Sequence, residues 1–141
     1  VIQKTLVLIK PDAMKRRLAG EILRRFELKG LRIAALKMLH MDQALARRHY
    51  VDHVDKDFYP DLQDFITSGP CLAMVLEGEE AVAVTRRLMG ATDSAQADSG
   101  TIRGDLSCSK RANLVHGSDS PHAAEREIAI FFTAEEIHPE T

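Results

Sequence analysis

The sequence has no tryptophan, two cysteines, five prolines and an aromatic share of only 5%. Each scarcity excludes something. Two cysteines cannot build the disulfide framework of a small secreted domain. Cys71 lies in an apolar run and reads as a buried small hydrophobe, so a reducing compartment, the cytoplasm, is expected. There is no internal repeat, no low-complexity run and no interdomain linker. No apolar stretch approaches the ~20 residues that span a bilayer, and no signal-peptide pattern precedes the first strand. Charge of one sign is also missing. Nineteen Lys and Arg against 21 Asp and Glu leave a net −2, so neither nucleic acid nor a membrane surface is demanded as partner. The scarcity of aromatics, with no RNP-like aromatic run, weakens an RNA-binding reading further.

What remains is an ordinary composition, 45% hydrophobic and 28% charged, in a length that suits a single domain over residues 1–141. Thr5–Ile9 is a continuous apolar run and reads as a buried strand ended at Lys10-Pro11-Asp12. Leu18, Ile22, Leu23 and Phe26 form the stripe of a helix stopped by Gly30. Leu31–His40 is strand-like. Asp42 caps a helix running to about Tyr50, residues 52–58 are loop-like, and Phe58–Thr67 reads as a further helix ended by Ser68-Gly69-Pro70. Cys71–Leu76 is a third apolar strand and Glu79–Met89 an amphipathic helix closed by Gly90. From Ala91 to Ala112 no period is visible, and a long ordered loop in a compact domain is usually functional. Alternating strands and helices predict an α/β layering with a four-stranded sheet under helices, without saying whether its strands run parallel.

The stretch from Asn113 to Ser120 is the informative one. Leu114 and Val115 read as the end of a buried strand that delivers His116 to a turn, with Gly117 permitting a sharp exit through positive φ. Ser120-Pro121 is an N-cap and first-turn pair for a helix to Phe132. On that helix Ala124, Ile128 and Phe131 form the apolar stripe, and Glu127 lies beside it. A carboxylate on a core face is costly unless paired. An imidazole would pair it, and the carboxylate would orient the ring and raise its basicity, the arrangement of an activated nucleophile. The alternative is a surface network of Glu127 with Arg126 or Arg103. Lys10 and Asn113 at strand ends, Arg86 on a helix, and Thr92 and Arg103 in the long loop make a donor set suited to phosphate. There is no G-x-x-x-x-G-K-[ST], no G-x-G-x-x-G and no protein-kinase signature, so such a site would rely on side chains, with Mg²⁺ carried by a nucleotide. His49 and His53 are spaced i, i+4, but no H-E-x-x-H sequence accompanies them, and metal binding there is not expected.

Asn113-Leu114-Val115-His116-Gly117-Ser118-Asp119-Ser120, Gly100-Thr101-Ile102-Arg103-Gly104-Asp105, Ile9-Lys10-Pro11-Asp12, Ser68-Gly69-Pro70 and His49-Tyr50 stand in the order found in nucleoside diphosphate kinases. The chain resembles that family along essentially its whole length. The resemblance implies a ferredoxin-like βαββαβ core with an antiparallel four-stranded sheet (α/β, more strictly α+β). It implies transfer of the γ-phosphate from a nucleoside triphosphate to a nucleoside diphosphate by a ping-pong route, with Mg²⁺ held by the nucleotide phosphates and no direct metal ligand. By the same resemblance His116 would be phosphorylated, Glu127 would hold its other ring nitrogen, and Ser118 would bond that carboxylate. Lys10 and Tyr50 would meet the γ-phosphate. Arg86, Thr92 and Arg103 would hold the phosphates, Asn113 the sugar hydroxyl, and Phe58 with Leu62 the base. Stacking accepts any base because each has a π-face. A homo-oligomer, hexamer or tetramer built from dimers, is implied as well. Lys110, Asp57, Ser94 and Ser99 depart from the usual pattern. The first predicts looser base binding, because a lysine stem would replace an apolar cover, and the two serines a less stiff subunit-contact loop. A nucleotide-sensing module without turnover is the other reading, and it leaves the His116, Glu127 and Lys10 set without a purpose.

Overall fold

In a computed structural model, residues 1–140 are described. Four strands, β1 (Ile2–Ile9), β2 (Arg32–His40), β3 (Pro70–Glu79) and β4 (Val115–Gly117), form one sheet in the order β2-β3-β1-β4. Every neighbouring pair is antiparallel, which decides the point that periodicity left open. Helix α1 (Pro11–Lys15) and α2 (Ala19–Lys29) connect β1 to β2, α3 (Gln43–His49) and α4 (Tyr59–Ile66) connect β2 to β3, and α5 (Ala81–Met89) and α6 (Ile102–Leu106) precede β4. Helix α7 (Pro121–Phe131) follows it.

Both faces of the sheet are covered, and this is why β1 is apolar at successive positions rather than at alternate ones. Leu6 and Leu8 point into one core with Ala35, Cys71, Ala73, Val75, Ile66 and Phe131. Val7 and Ile9 point into the other with Ile22, Phe26, Met74, Leu76 and Met89. A strand buried on two sides reads as a continuous hydrophobic run. Cys71 is buried and unpaired, Cys108 exposed and unpaired.

Local chemistry sets the helix ends. The side chain of Asp42 accepts from Leu45 N at 2.8 Å, and that of Ser120 from Ala123 N at 3.0 Å, both N-caps. The helix expected from Glu79 begins two residues later. Register with β1 carries β3 through Glu79, and Glu80 takes a left-handed conformation at φ 49° before α5 starts. The stretch expected to be irregular holds a 3-10 turn at Ser94–Gln96 and α6, whose N-cap Thr101 accepts from Gly104 N at 3.0 Å. Five residues of α6 are too few to display a helical period.

The reading of Gly117 needs correction. Gly117 lies in β4, opposite Val7, and the residue with positive φ is Leu114, at 76°. Leu114 is held there from both sides: its N–H donates to Asp12 Oδ2 at 3.0 Å, and its carbonyl accepts from Lys10 N at 2.9 Å. The constraint at 117 is one of space, which the end of the Met89 side chain would have to yield. A Cβ there would lie 2.8 Å from Met89 Sδ and 2.9 Å from its Cε.

Candidate active site

Register places the side chain of the candidate nucleophile. His116 pairs with Leu8, and directly opposed residues share a face, so the imidazole emerges on the side where α3 and α7 pack. Glu127, 5% exposed, comes from the core side of α7 to meet it. His116 Nε2 and Glu127 Oε1 are 2.8 Å apart. Ser118 Oγ donates to the same carboxylate oxygen at 2.8 Å, and itself accepts from Leu6 N at 3.3 Å. Burial pushes the Glu127 carboxyl up. The His116 and Ser118 hydrogen bonds and the Arg126 charge outweigh it, and the group is held below its ordinary value. An ionised carboxylate only accepts, so the hydrogen between the two groups belongs to Nε2 and the lone pair of a neutral ring lies on Nδ1. The surface network considered as the alternative reduces to one longer contact, Arg126 Nη2 to Glu127 Oε2 at 3.7 Å.

In front of the ring opens a cavity of ≈600 Å³ lined by Lys10, Tyr50, Arg86, Thr92, Arg103 and Asn113, as well as by His116 and Glu127. Lys10 is buried, and its Nζ donates to Asn113 Oδ1 at 2.8 Å, while Asn113 Nδ2 donates to Thr92 O at 2.8 Å. Burial, then the charge of Arg103, lowers the Lys10 ammonium to about 8 against a partial opposing effect of Asp12. Arg103 is tied down by its backbone contacts. Its Nε, Nη1 and Nη2 donate to the carbonyls of Asn113, Gly90 and Val115 at 3.2, 2.9 and 2.7 Å. These use three of the five N–H groups of a guanidinium and leave two for a ligand. Burial and the Arg86 charge bring it down to about 10. Arg86 Nη1 bonds Gly117 O at 3.1 Å, so both guanidiniums are fixed to the strand that carries His116. The Tyr50 phenol borders the cavity, and burial raises its pKa, which keeps it a neutral donor.

Not every expected residue converges. Phe58 is half exposed and Leu62 packs on a core cluster, and neither lines the cavity. The Phe58 ring stands 5.7 Å from that of His53, which does line it, so Phe58 extends the mouth outward. Sequence reasoning assigned no site role to His122 or Asp119, offered Arg126 only as a possible partner of Glu127, and left His49 aside once metal binding with His53 was not expected, yet all four line the cavity. The first three follow from adjacency: residues just before and within the first turns of α7 must border whatever His116 faces.

A model of the family described as Nucleoside diphosphate kinase matches residues 3–137. The chain belongs to the nucleoside diphosphate kinase family. It is 59% identical over 129 residues to a nucleoside diphosphate kinase of Nocardioides sp., covering 92% of this chain and 96% of that one. It is 54% identical over 137 residues to one from Methanobrevibacter smithii, covering 97% and 91%. Among solved structures, a halophilic nucleoside diphosphate kinase from Halobacterium salinarum in complex with CDP superposes with a TM-score of 0.97 at 46% identity, covering 100% of this chain and 94% of that one. A nucleoside diphosphate kinase family protein from Babesia bovis gives 0.95 at 43%, covering 99% and 94%. The ferredoxin-like expectation stands. The activity is that of the family, which moves a γ-phosphate from a nucleoside triphosphate to a nucleoside diphosphate by ping-pong transfer through a phosphohistidine. No helix among the described residues is long and apolar enough to cross a membrane.

Proposed function

We propose that His116 carries the phosphoryl group of this nucleoside diphosphate kinase on Nδ1, and that the cavity in front of it receives the nucleotide's phosphate tail. The 2.8 Å contact between His116 Nε2 and Glu127 carries the reading, since it leaves Nδ1 with the lone pair. In the first half-reaction that lone pair attacks the γ-phosphorus. The bond to the β,γ-bridging oxygen breaks, and its electron pair leaves with the diphosphate. The proton on Nε2 stays between His116 and Glu127, whose negative charge stabilises the cation forming on the ring. The second half-reaction is the reverse, onto a different diphosphate.

Lys10 and the free donors of Arg86 and Arg103 neutralise the transferring oxygens, Tyr50 and Thr92 add neutral hydrogen bonds, and Asn113, already on Lys10, meets the sugar hydroxyl. Ser118 holds Glu127. Phe58 stacks on the base at the outer rim and Leu62 backs it. A base held at an open rim by its π-face is weakly discriminated, and the exposed Lys110 loosens it further. Mg²⁺ arrives on the nucleotide. It prefers oxygen ligands in octahedral geometry, whereas the one cluster of three potential ligands among the described residues is His49, His116 and Glu127. When bound, it offsets charge on the phosphates.

The working form is a homo-oligomer, supported by the exposed Leu36 and Met38 on edge strand β2. The two unpaired thiols fit the cytoplasm.

Incubation with γ-labelled ATP should give an acid-labile phosphoprotein that added GDP discharges. His116→Ala should bind ADP and take no label. Nucleotide binding without covalent label in the unmutated protein would mean a sensor, and the reading would be wrong.

A further inference from the structure

Leu114 is fully buried and holds φ at 76°, a conformation that L side chains resist. Across it Val115 N donates to Asn113 O at 2.9 Å, so residues 113–115 form a γ-turn of the strained kind. Glycine would adopt that φ freely, whereas a leucine has to be held there from outside. Two bonds hold it. Its carbonyl accepts from Lys10 N at 2.9 Å, which continues the pairing of β1 with β4 by one residue. Its N–H donates to Asp12 Oδ2 at 3.0 Å, a bond made by one side chain 102 residues away in the chain. Asp12 stands in the first turn of α1, between the buried Pro11 and Ala13. Its other oxygen, Oδ1, is buried with no hydrogen-bond partner among the described residues. An unpartnered buried carboxylate oxygen is costly, so stability of the fold gives a weak account of an aspartate at this position.

The turn at Leu114 sets both of its neighbours. On one side the Asn113 side chain lies between Lys10 Nζ and Thr92 O, 2.8 Å from each, and its carbonyl accepts from Arg103 Nε at 3.2 Å. On the other, Val115 O accepts from Arg103 Nη2 at 2.7 Å, one residue before His116. Three of the cavity's donor residues therefore depend on one backbone conformation. We propose that Asp12 is a positioning residue of the phosphoryl transfer: it holds Leu114 in the left-handed conformation and thereby keeps Asn113, Lys10 and Arg103 aimed into the cavity. This rests on those three meeting the nucleotide. Asp12 does not line the cavity and acts through the backbone. Without its carboxylate the Leu114 N–H has no acceptor, and the turn relaxes toward an ordinary φ. The Asn113 carbonyl then swings off Arg103, and its side chain off Lys10. A displacement of about 1 Å in a positioning group can cost about 10²-fold in rate.

The experiment compares Asp12→Ala and Asp12→Asn with the unmutated enzyme by single-turnover labelling from γ-labelled ATP and by ADP affinity, at a temperature well below every variant's melting point. Asp12→Ala should take label roughly ten- to a hundredfold more slowly and bind ADP more weakly. Asp12→Asn keeps an acceptor for the Leu114 N–H and should recover at least part of both. A residue that only stabilised the fold would lower Tm and leave the rate of the folded enzyme alone. Asp12→Ala combined with Asn113→Ala should slow labelling by less than the product of the two single effects, as coupled residues do. Hydrogen exchange of the unmutated protein, read by NMR, should show a protected Leu114 amide, and this readout stands even if Asp12→Ala fails to fold. Parental labelling by Asp12→Ala, equal slowing by both Asp12 variants, multiplicative effects in the double variant, or an unprotected Leu114 amide would each overturn the proposal. Parental labelling by both Asn113→Ala and Lys10→Ala would show instead that the donors are misassigned, and the proposal would fall with that reading.

Discussion

At Lys10 a buried ammonium is poised to titrate at about 8 in the nucleotide-free enzyme, pushed there by burial and then by Arg103. An unfolded lysine titrates at about 10.4. Between these values the unfolded chain binds more protons than the folded one, so this group's contribution to stability increases with pH across the window from about 8 to 10.4. Below 8 its destabilising effect is fully present. Activity should have the opposite slope, because the role proposed for Lys10 needs the ammonium. We expect kcat/KM, which reports the free enzyme, to fall as pH rises through about 8 while apparent stability climbs; a pH-rate profile set beside denaturation curves checks both. Glu127→Gln keeps the shape of the side chain and removes the charge proposed to steady the imidazolium. Labelling from γ-labelled ATP should slow by about 10²-fold or more, with ADP affinity little changed, since the loss falls on the transition state. The convergence of His116, Glu127 and Lys10 on one cavity was legible as an expectation. The bond from Leu114 to Asp12 was not, because it joins residues 102 positions apart.

Helix α7 brings Glu127 up to β4, and its first turn is held by Ser120. Ser120→Ala should cost about 1 kcal/mol and lower Tm by roughly 3–4 °C for a domain of this size, with a smaller loss of activity than Glu127→Gln; differential scanning calorimetry and a coupled assay separate the two. At β4, Gly117→Ala drives a methyl against the end of Met89. The expected cost is about 1–3 kcal/mol of overpacking. Met89→Ala in the same background should be less than additive, because the cavity it opens takes up the new methyl. Caps and stripes were readable for these elements because a cap acts within three residues and a stripe within two turns. The three-residue strand β4 and the five-residue α6 were harder to delimit. Pairing with β1 defines the one and tertiary packing holds the other, and neither leaves a local period.

For the molecule as a whole, the sheet ends in β2, whose Leu36 and Met38 are 46% and 62% exposed. An edge strand with apolar side chains on one face calls for cover. Light scattering should give a mass that is a multiple of the 15.7 kDa chain, and Leu36→Glu with Met38→Glu should reduce it; a parent protein that runs at 15.7 kDa would exclude the oligomer. By itself the sequence determined the order of the longer elements, the helix starts at Asp42 and Ser120, the buried character of β1 and the set of donor residues that the cavity gathers. These follow from side-chain period, capping and local backbone restriction, which act over a few residues. Only the tertiary structure decided that the positive φ before His116 falls at Leu114 and that Gly117 does not share it, that Arg103 is anchored on three carbonyls, and that Phe58 stands outside the cavity. Each depends on groups distant in the chain meeting in space, where register and packing choose among conformations that local preference leaves nearly equal.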